Sequence, residues 1–215
     1  MNFIKSLLRK FWFTAKIVEL HFLSKKFLTH RGWFYSLFYG QSIDGDKNPI
    51  PWFSYSSIHF FNLKLDPSKH EVFEFGSGNS TLWFSKRVKK IISVEHDQDY
   101  YTHMKPVLGK VENVEVLFGK LGGDYSSQIL KFEKQFDVVV IDGRERIECA
   151  KNTLGALKDD GVVIWDNSDR LQYSEGYELF ANNGFKRIDF AGMGPINHSE
   201  AQTTVFYRDN NCFGI

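Results

Sequence analysis

Gly76 and Gly78 lie between a short apolar segment and a polar run that begins a predicted helix. Glycine takes positive φ without strain, so the backbone of this turn can approach a ligand closely. Nineteen positions after Gly76, a second predicted strand ends at Glu95, an acidic residue placed to accept both hydroxyls of a ribose. The spacing therefore predicts a site for a nucleoside-containing cofactor. Further contacts to that cofactor are expected from Ser77, Asn79, Ser80, His96, Gly119 and Asp142.

The turn lacks the features that bind phosphate groups. A dinucleotide fingerprint needs a third glycine where this chain has Thr81, and there is no Walker lysine. Glu74, in the preceding strand, would repel a pyrophosphate but suits a ligand with an amino group and a sulfonium. The motif resembles that of the class I S-adenosylmethionine-dependent methyltransferases, which implies S-adenosylmethionine as the cofactor. The residues that carry this resemblance are Glu74, Gly76, Gly78 and Glu95. The alternative is a glycine-rich turn without a ligand.

Three oxygen-bearing side chains follow two predicted strands. Asp142 ends the fourth strand, and Asp166 and Asn167 end the fifth. In a parallel sheet these ends stand side by side, and such oxygen donors suit Mg²⁺ or Ca²⁺. Over residues 60 to 210 the chain resembles the catechol and caffeoyl-CoA O-methyltransferases. That resemblance implies a divalent ion held by Asp142, Asp166 and Asn167. The alternative is an Asx turn at Asp166, with Asp142 hydrogen-bonding the methionine amine or a backbone amide.

The resemblance does not identify a catalytic base in this chain. Those enzymes carry a lysine three residues after the first aspartate, where this chain has Glu145. The candidate catalytic residues are therefore Asp142, Glu145 and His198, the last in a loop between the final two predicted strands. Glu145 is also explained as the start of a helix, and His198 as a solvated loop residue.

Three arginines, Arg144, Arg146 and Arg170, surround the same strand ends. They would suit an anionic substrate such as a phosphorylated sugar or an acidic glycan, because guanidinium groups bind phosphate and carboxylate well. They are equally explained as ion-pair partners of neighbouring carboxylates. The Asp/Asn-Pro-Pro-aromatic motif that holds a flipped base is absent after the fourth strand, so no nucleic-acid partner is expected.

A sheet is needed to bring these residues together. Residues 138–141 are a continuous apolar run, typical of a strand buried on both faces of a parallel sheet. The alternation of strands and helices predicts an α/β fold. We expect a Rossmann-like, doubly wound seven-stranded sheet, mostly parallel with an antiparallel last strand, plus N-terminal cap helices. The predicted strands are residues 72–75, 91–94, 114–118, 136–142, 161–166, 185–190 and 202–208.

The composition favours one core in a reducing compartment. With 215 residues, 42% of them hydrophobic, the chain needs one core. Its two cysteines, Cys149 and Cys212, suggest neither a disulfide framework nor a thiolate metal site. No signal peptide or membrane-spanning segment is recognisable, so a cytoplasmic location is expected.

The first 31 residues differ in charge from the rest. They contain seven Lys or Arg and one Glu, a net charge of +6, which leaves −5 for the remainder. If this segment is helical, its apolar residues form one stripe among lysines and arginines. Three interpretations stay open: packing on the chain's own domain or on a partner subunit, contact with an anionic membrane surface, or nucleic-acid binding. The stripe consists of Phe3, Ile4, Leu7, Leu8, Phe11, Ala15, Val18 and Phe22.

Residues 33–61 contain ten aromatic rings and a turn-rich loop. We expect this segment to form part of a cap over the site, where Trp52 or Tyr55 either contacts the ligand or packs in the core. The predicted domains are residues 1–60, a basic amphipathic helix with the aromatic cap segment, and residues 61–215, the S-adenosylmethionine-binding domain.

The leading functional hypothesis is O-methylation of a small molecule, a sugar or a lipid-linked intermediate, with Mg²⁺ as an open question. The competing hypothesis is a catalytically inactive scaffold that keeps the methyltransferase fold and docks on a membrane or a partner. Oligomeric state has no signal in the sequence.

Overall fold

The computed structural model describes residues 2–215, and side chains from Phe11 onward. The described strands form a seven-stranded sheet in the order β3-β2-β1-β4-β5-β7-β6, in which β7 alone runs antiparallel to its neighbours. The predicted Rossmann-like α/β fold with an antiparallel last strand is confirmed. The strands are β1 Glu71–Phe75, β2 Lys90–Glu95, β3 Val114–Phe118, β4 Phe136–Ile141, β5 Leu157–Asp166, β6 Lys186–Gly192 and β7 Ala201–Tyr207.

Two of the helices start where a short polar side chain accepts a hydrogen bond from a free backbone amide. Ser54 accepts from the amide of Ser57 at 3.3 Å, and Asp97 accepts from the amide of Tyr100 at 2.9 Å. The helices are α1 Asn2–Leu23, α2 Trp33–Tyr39, α3 Tyr55–Lys64, α4 Asn79–Ser85, α5 Gln98–Leu108, α6 Arg146–Ala156 and α7 Ser174–Asn182. A π-helical turn, Ser24–Thr29, follows α1, and 3₁₀ turns span Gln128–Lys131 and Leu171–Tyr173.

Side-chain alternation along β1 decides which helices each residue faces. Phe73 and Phe75 are fully buried in a core that also contains Cys149 of α6 and Phe180 of α7. Val72 belongs to the core on the other face, which contains side chains of α3 and α4. Since successive residues of a strand point to opposite faces, Glu74 shares the face of Val72. Its carboxyl group therefore lies under α4 and away from the strand ends.

β5 begins four residues before the predicted start at Gly161. Leu157 ends α6 with an extended backbone and is also the first residue of the strand, with its side chain buried. A Cβ atom on Gly161 would lie 2.6 Å from Cδ1 of Leu157. Glycine at this position therefore makes room for the leucine side chain within the strand.

The segment before β1 covers the strand ends. Nε1 of Trp33 donates to the carbonyl of Asn197 at 3.1 Å, and the amide of Tyr55 donates to the carbonyl of Met193 at 2.9 Å. The predicted domain boundary at residue 60 falls inside α3. Phe61 of this helix is fully buried in the core that contains Val72. The cap and the sheet are therefore packed together through α3. No helix in the described part of the chain has both the length and the apolar composition to cross a membrane.

Candidate active site

The predicted glycine turn connects β1 to α4. Gly76 and Gly78 take φ values of +112° and +142°, which side chains rarely allow. A Cβ atom on Gly78 would lie 2.6 Å from Oη of Tyr100. The amide of Gly76 donates to a carbonyl of β2 at 2.9 Å, and the amide of Gly78 donates to Oγ1 of Thr81 at 3.0 Å. These contacts hold the turn between β2 and α4.

Glu95 lies beside this turn at the end of β2 and is almost fully buried. One carboxylate oxygen accepts from the amides of His96 and Asp97 at 2.8 and 2.9 Å, and the other accepts from Oγ of Ser77 at 2.9 Å. A carboxylate offers about four acceptor positions. One position on the second oxygen therefore stays open for a hydroxyl donor, which fits the predicted contact to a ribose.

Glu74 is fully buried under α4. Its Oε2 accepts from Oγ1 of Thr81 at 2.5 Å and from Oγ of Ser93 at 2.8 Å, while Oε1 has no partner among the described residues. Burial raises the pKa of this carboxyl to about 7. Glu74 lines neither of the two cavities described next. The carboxylate that was predicted to lie beside the ligand instead supports the glycine turn from below, through its hydrogen bond with Thr81.

Two adjoining cavities open at the carboxyl ends of the strands. The strand-end cavity has a volume of about 400 Å³, and the cap cavity has a volume of about 520 Å³. Both lie within the size range of small-molecule sites. The strand-end cavity is lined by Trp52, Gly76, Ser77, Ser80, Glu95, His96, Asp142, Gly143, Arg144, Arg146, Asp166, Asn167, Arg170 and Asn197. Trp52, Ser77, Ser80 and Asp142 also line the cap cavity, which Asn79 and Tyr100 extend.

Asp142 lies where the two cavities meet. Withdrawal from water raises the pKa of its carboxyl to about 6, although the charges of Arg146 and Arg170 oppose the shift. Asp166, at the end of the neighbouring strand, is nearly fully buried and accepts from Oγ1 of Thr203 at 2.6 Å. Burial and the charge of Asp142 raise the pKa of Asp166 well above its ordinary value.

Arg146 bridges the ends of β4 and β5. Its buried guanidinium donates from Nε to the carbonyl of Gly143 at 3.0 Å and from Nη1 to the carbonyl of Asp166. Nη2 donates to the carbonyl of Asp142 at 2.9 Å and lies 3.3 Å from Oδ1 of the same residue. One fixed cation thus occupies the gap between the two strand ends.

This arrangement does not fit the predicted divalent ion. A dication held by Asp142, Asp166 and Asn167 would face the guanidinium of Arg146 at short range, where two cations repel strongly. The positive charge beside Asp142 comes from Arg146, with a further contribution from Arg170.

Arg144 and Arg170 line the same cavity with exposed side chains. Within the described residues, neither guanidinium donates a hydrogen bond to a protein acceptor, although Arg170 acts electrostatically on Asp142. The predicted alternative of ion pairs with Glu145, Glu148 and Asp169 is not found in this part of the chain. Both side chains can therefore bind an anion that enters the cavity.

Glu145 and Gly119, like Glu74, Gly78 and His198, line neither of the two cavities. Oε1 of Glu145 accepts from the amide of Gly122 at 2.5 Å, so the residue holds a neighbouring loop at the start of α6. Gly119 donates its amide to the carbonyl of Glu95 and packs against the backbone of Tyr125. Both residues therefore support the segments around the two cavities.

His198 is exposed, and its ring packs edge-on against Trp33 at 6.4 Å between centroids. Its neighbour Asn197 lines the strand-end cavity instead, because its Oδ1 accepts from Nε1 of Trp52 at 2.8 Å. The loop does overhang the site as predicted, but with a different residue. Tyr55 is buried in the core, so Trp52 is the aromatic of the predicted pair that faces the ligand cavity.

Comparison with known proteins agrees with this geometry. Residues 73–168, from β1 to just after β5, match the family model described as a methyltransferase domain. No curated protein sequence matches the chain significantly.

Several solved structures share the fold at low sequence identity. The precorrin-6y C5,15-methyltransferase of Geobacter metallireducens has a TM-score of 0.57 at 16% identity, over 71% of this chain and 87% of that one. Spermidine synthase from Thermotoga maritima scores 0.54 at 19% identity, over 70% and 57%. TYW2 from M. jannaschii, solved in complex with AdoMet, scores 0.51 at 17% identity, over 77% and 81%. We conclude that the chain has the Rossmann-like methyltransferase fold and that residues 73–168 match the methyltransferase domain family.

Proposed function

We propose that this protein is an S-adenosylmethionine-dependent methyltransferase that methylates a hydroxyl group of an anionic small molecule. One observation carries the proposal: Glu95 and Asp142 line the same cavity at the glycine turn. The carboxylate of Glu95 has one open acceptor position in that cavity. The match of residues 73–168 to the methyltransferase domain family supports it. The AdoMet complex of TYW2 supports the same choice of cofactor.

Each part of the cavity has a role in this proposal. Glu95 accepts a ribose hydroxyl, while Gly76 and Ser77 bring backbone and a hydroxyl group to the rest of the cofactor. When bound, S-adenosylmethionine supplies an electrophilic methyl group. Asp142 takes the proton from the acceptor hydroxyl, because a carboxylate with a pKa of about 6 is ionised at neutral pH and is more basic than an ordinary aspartate.

The acceptor is assigned as an anion because two cavity arginines donate to no acceptor among the described residues. Arg144 and Arg170 would bind a phosphate or carboxylate of the acceptor, which fixes its hydroxyl near Asp142. Trp52 and Asn197 close the cap side of the same cavity. A sugar phosphate and an acidic glycan fragment both have the required hydroxyl and charge.

The proposal includes no metal ion. Arg146 already supplies a cation that contacts the carboxylate of Asp142 and holds the backbone of β5. We therefore expect turnover by the purified protein to be the same in the presence of a chelator and in the presence of added Mg²⁺.

The first test is calorimetric titration of S-adenosylmethionine into the folded protein. We expect saturable binding that weakens by about tenfold or more in Glu95→Gln, because a charge-assisted hydrogen bond to the ribose is lost. Glu115→Gln is the matched control, since Glu115 is an exposed carboxylate on β3 that pairs with Lys90. The control should bind like the wild type.

The second test separates binding from chemistry. Asp142→Asn should keep cofactor binding and lose turnover with an acceptor found by screening hydroxylated phosphates and carboxylates against their neutral analogues. Arg170→Gln should raise KM for that acceptor, whereas Arg187→Gln on β6, which pairs with Asp189, should not. Absence of saturable heat from folded wild-type protein would contradict the proposal and favour the non-catalytic scaffold.

A further inference from the structure

α1 presents large apolar side chains to solvent along its described length. Every described residue of this helix, from residue 11 to residue 23, is exposed. Phe11, Trp12 and Phe13 are 80%, 65% and 62% exposed. The predicted packing of this helix on its own domain is therefore not found for these side chains. A contiguous apolar surface of this kind marks an interaction site.

The apolar side chains are arranged by the helical repeat. Phe11, Val18 and Phe22 are spaced by seven and four residues, so they share one face of α1. Lys16 projects from the opposite side and pairs with Glu19 at 2.6 Å. The exposed side chains of Trp12, Phe13, Leu20 and Leu23 lie on the same side as Lys16, so the apolar surface extends around the helix. The long stem of Lys16 can keep its ammonium group in water beside that surface.

The net charge of residues 1–31 indicates which kind of apolar medium this surface would bind. Residues 1–31 carry seven Lys or Arg against one Glu, whereas the rest of the chain carries −5. In the π-helical turn that follows α1, Lys25, Lys26 and Phe27 are all exposed. Nζ of Lys26 lies 5.2 Å from the centroid of the Phe22 ring, so a cation sits at the edge of the apolar face. Anionic lipid headgroups provide the complementary charge.

We propose that α1 and the π-helical turn dock on the surface of an anionic phospholipid bilayer, with Phe11, Val18 and Phe22 inserted among the lipid chains. The basic residues of the segment contact the headgroups. An anionic bilayer matches both features at once: its acyl chains accept the aromatic face, and its headgroups accept the excess of lysine and arginine. This inference rests on α1 and the π-helical turn and does not depend on the proposed enzymatic activity.

The test is co-sedimentation of the full chain with vesicles. We expect binding to vesicles of phosphatidylcholine with one part in three of phosphatidylglycerol, little binding to pure phosphatidylcholine, and release as salt rises. The double variant Phe11→Glu with Phe22→Glu should bind about tenfold more weakly. Phe38→Glu on α2 is the matched control, because this ring is 83% exposed but lies outside α1.

Three results would overturn the proposal. The first is equal sedimentation with anionic and neutral vesicles, and the second is unchanged binding by the double variant. The third is a wild-type protein that does not co-sediment with vesicles but is a dimer by light scattering, while the double variant is a monomer. That last result would assign the apolar face to a second copy of the chain. Circular dichroism of each variant verifies that the fold is retained.

Discussion

Arg146 holds the ends of two strands with one side chain. Its guanidinium donates to the carbonyls of Asp142, Gly143 and Asp166 and contacts the Asp142 carboxylate. A buried cation is costly unless acceptors surround it, and carbonyls at buried strand ends need donors. The sequence predicted metal ligands here because Asp, Asp and Asn are typical ligand types. Asp142 lies in the turn after β4 and Arg146 begins α6, so their contact depends on the path of that turn, which no helical spacing in the sequence indicates.

Glu74 provides a prediction about stability and pH. The pKa of this buried carboxyl is raised from 4.5 to about 7, so the folded state holds its proton where the unfolded chain has lost it. Stability is therefore highest below the unfolded pKa and falls as pH rises from 4.5 to about 7, by roughly 3 kcal/mol from this group alone. We expect Glu74→Gln to remove this part of the decline in the free energy of unfolding.

Urea unfolding of both proteins across that pH range measures the difference. Other carboxyl groups titrate in the same range, but they are present in both proteins and cancel in the comparison. Two curves that stay parallel from pH 4.5 to 7 would mean that Glu74 is not neutral in the folded protein.

At the scale of elements, the strands follow closely from the sequence. β4 is fully buried along its length, and its apolar run predicted it to within one residue. The direction of Glu74 was also present in the sequence, because alternation from the apolar Phe73 and Phe75 places it on the other face. Strands are predictable in this way because burial and side-chain period act locally.

The loops around the site were predicted less well. The loop after β6 reaches the cavity through Asn197, which two tryptophan indole groups hold by hydrogen bonds, and not through His198. The packing of Gly119 against Tyr125 likewise depends on a residue of the following loop. These positions are set by contacts between segments far apart in sequence, which no local pattern encodes.

Alanine substitutions at two glycines would test how tightly these elements pack. A Cβ atom on Gly143 would overlap Oη of the fully buried Tyr125 and lie 3.1 Å from the carbonyl of Phe75. We expect Gly143→Ala to lower the free energy of unfolding by about 1–3 kcal/mol. Gly155 in α6 has nothing within 4 Å of the same atom, so Gly155→Ala should raise stability by up to about 1 kcal/mol. Urea unfolding midpoints measure both, and equal effects would contradict the packing described here.

On the scale of the whole molecule, the charge is divided between a basic N-terminal segment and an acidic remainder. The described side chains of α1 are exposed, so they bury little apolar surface against the sheet. We expect deletion of residues 1–23 to change the thermal unfolding midpoint by less than about 2 °C. Differential scanning calorimetry measures this midpoint. A large fall would show that α1 stabilises the folded body through contacts with it.

The insertion of β7 between β5 and β6 has a consequence for how the site is made. Asp166 depends on Thr203 of β7 for the hydrogen bond to its buried carboxyl group. Ribosomes synthesise a chain from its N-terminus, so β5 and β6 both emerge before the strand that separates them. A nascent chain can form the glycine turn and place Glu95 beside it early, while the part of the strand-end cavity at Asp166 needs β7. The strand-end cavity is therefore complete only after β7 has been synthesised and has paired with β5.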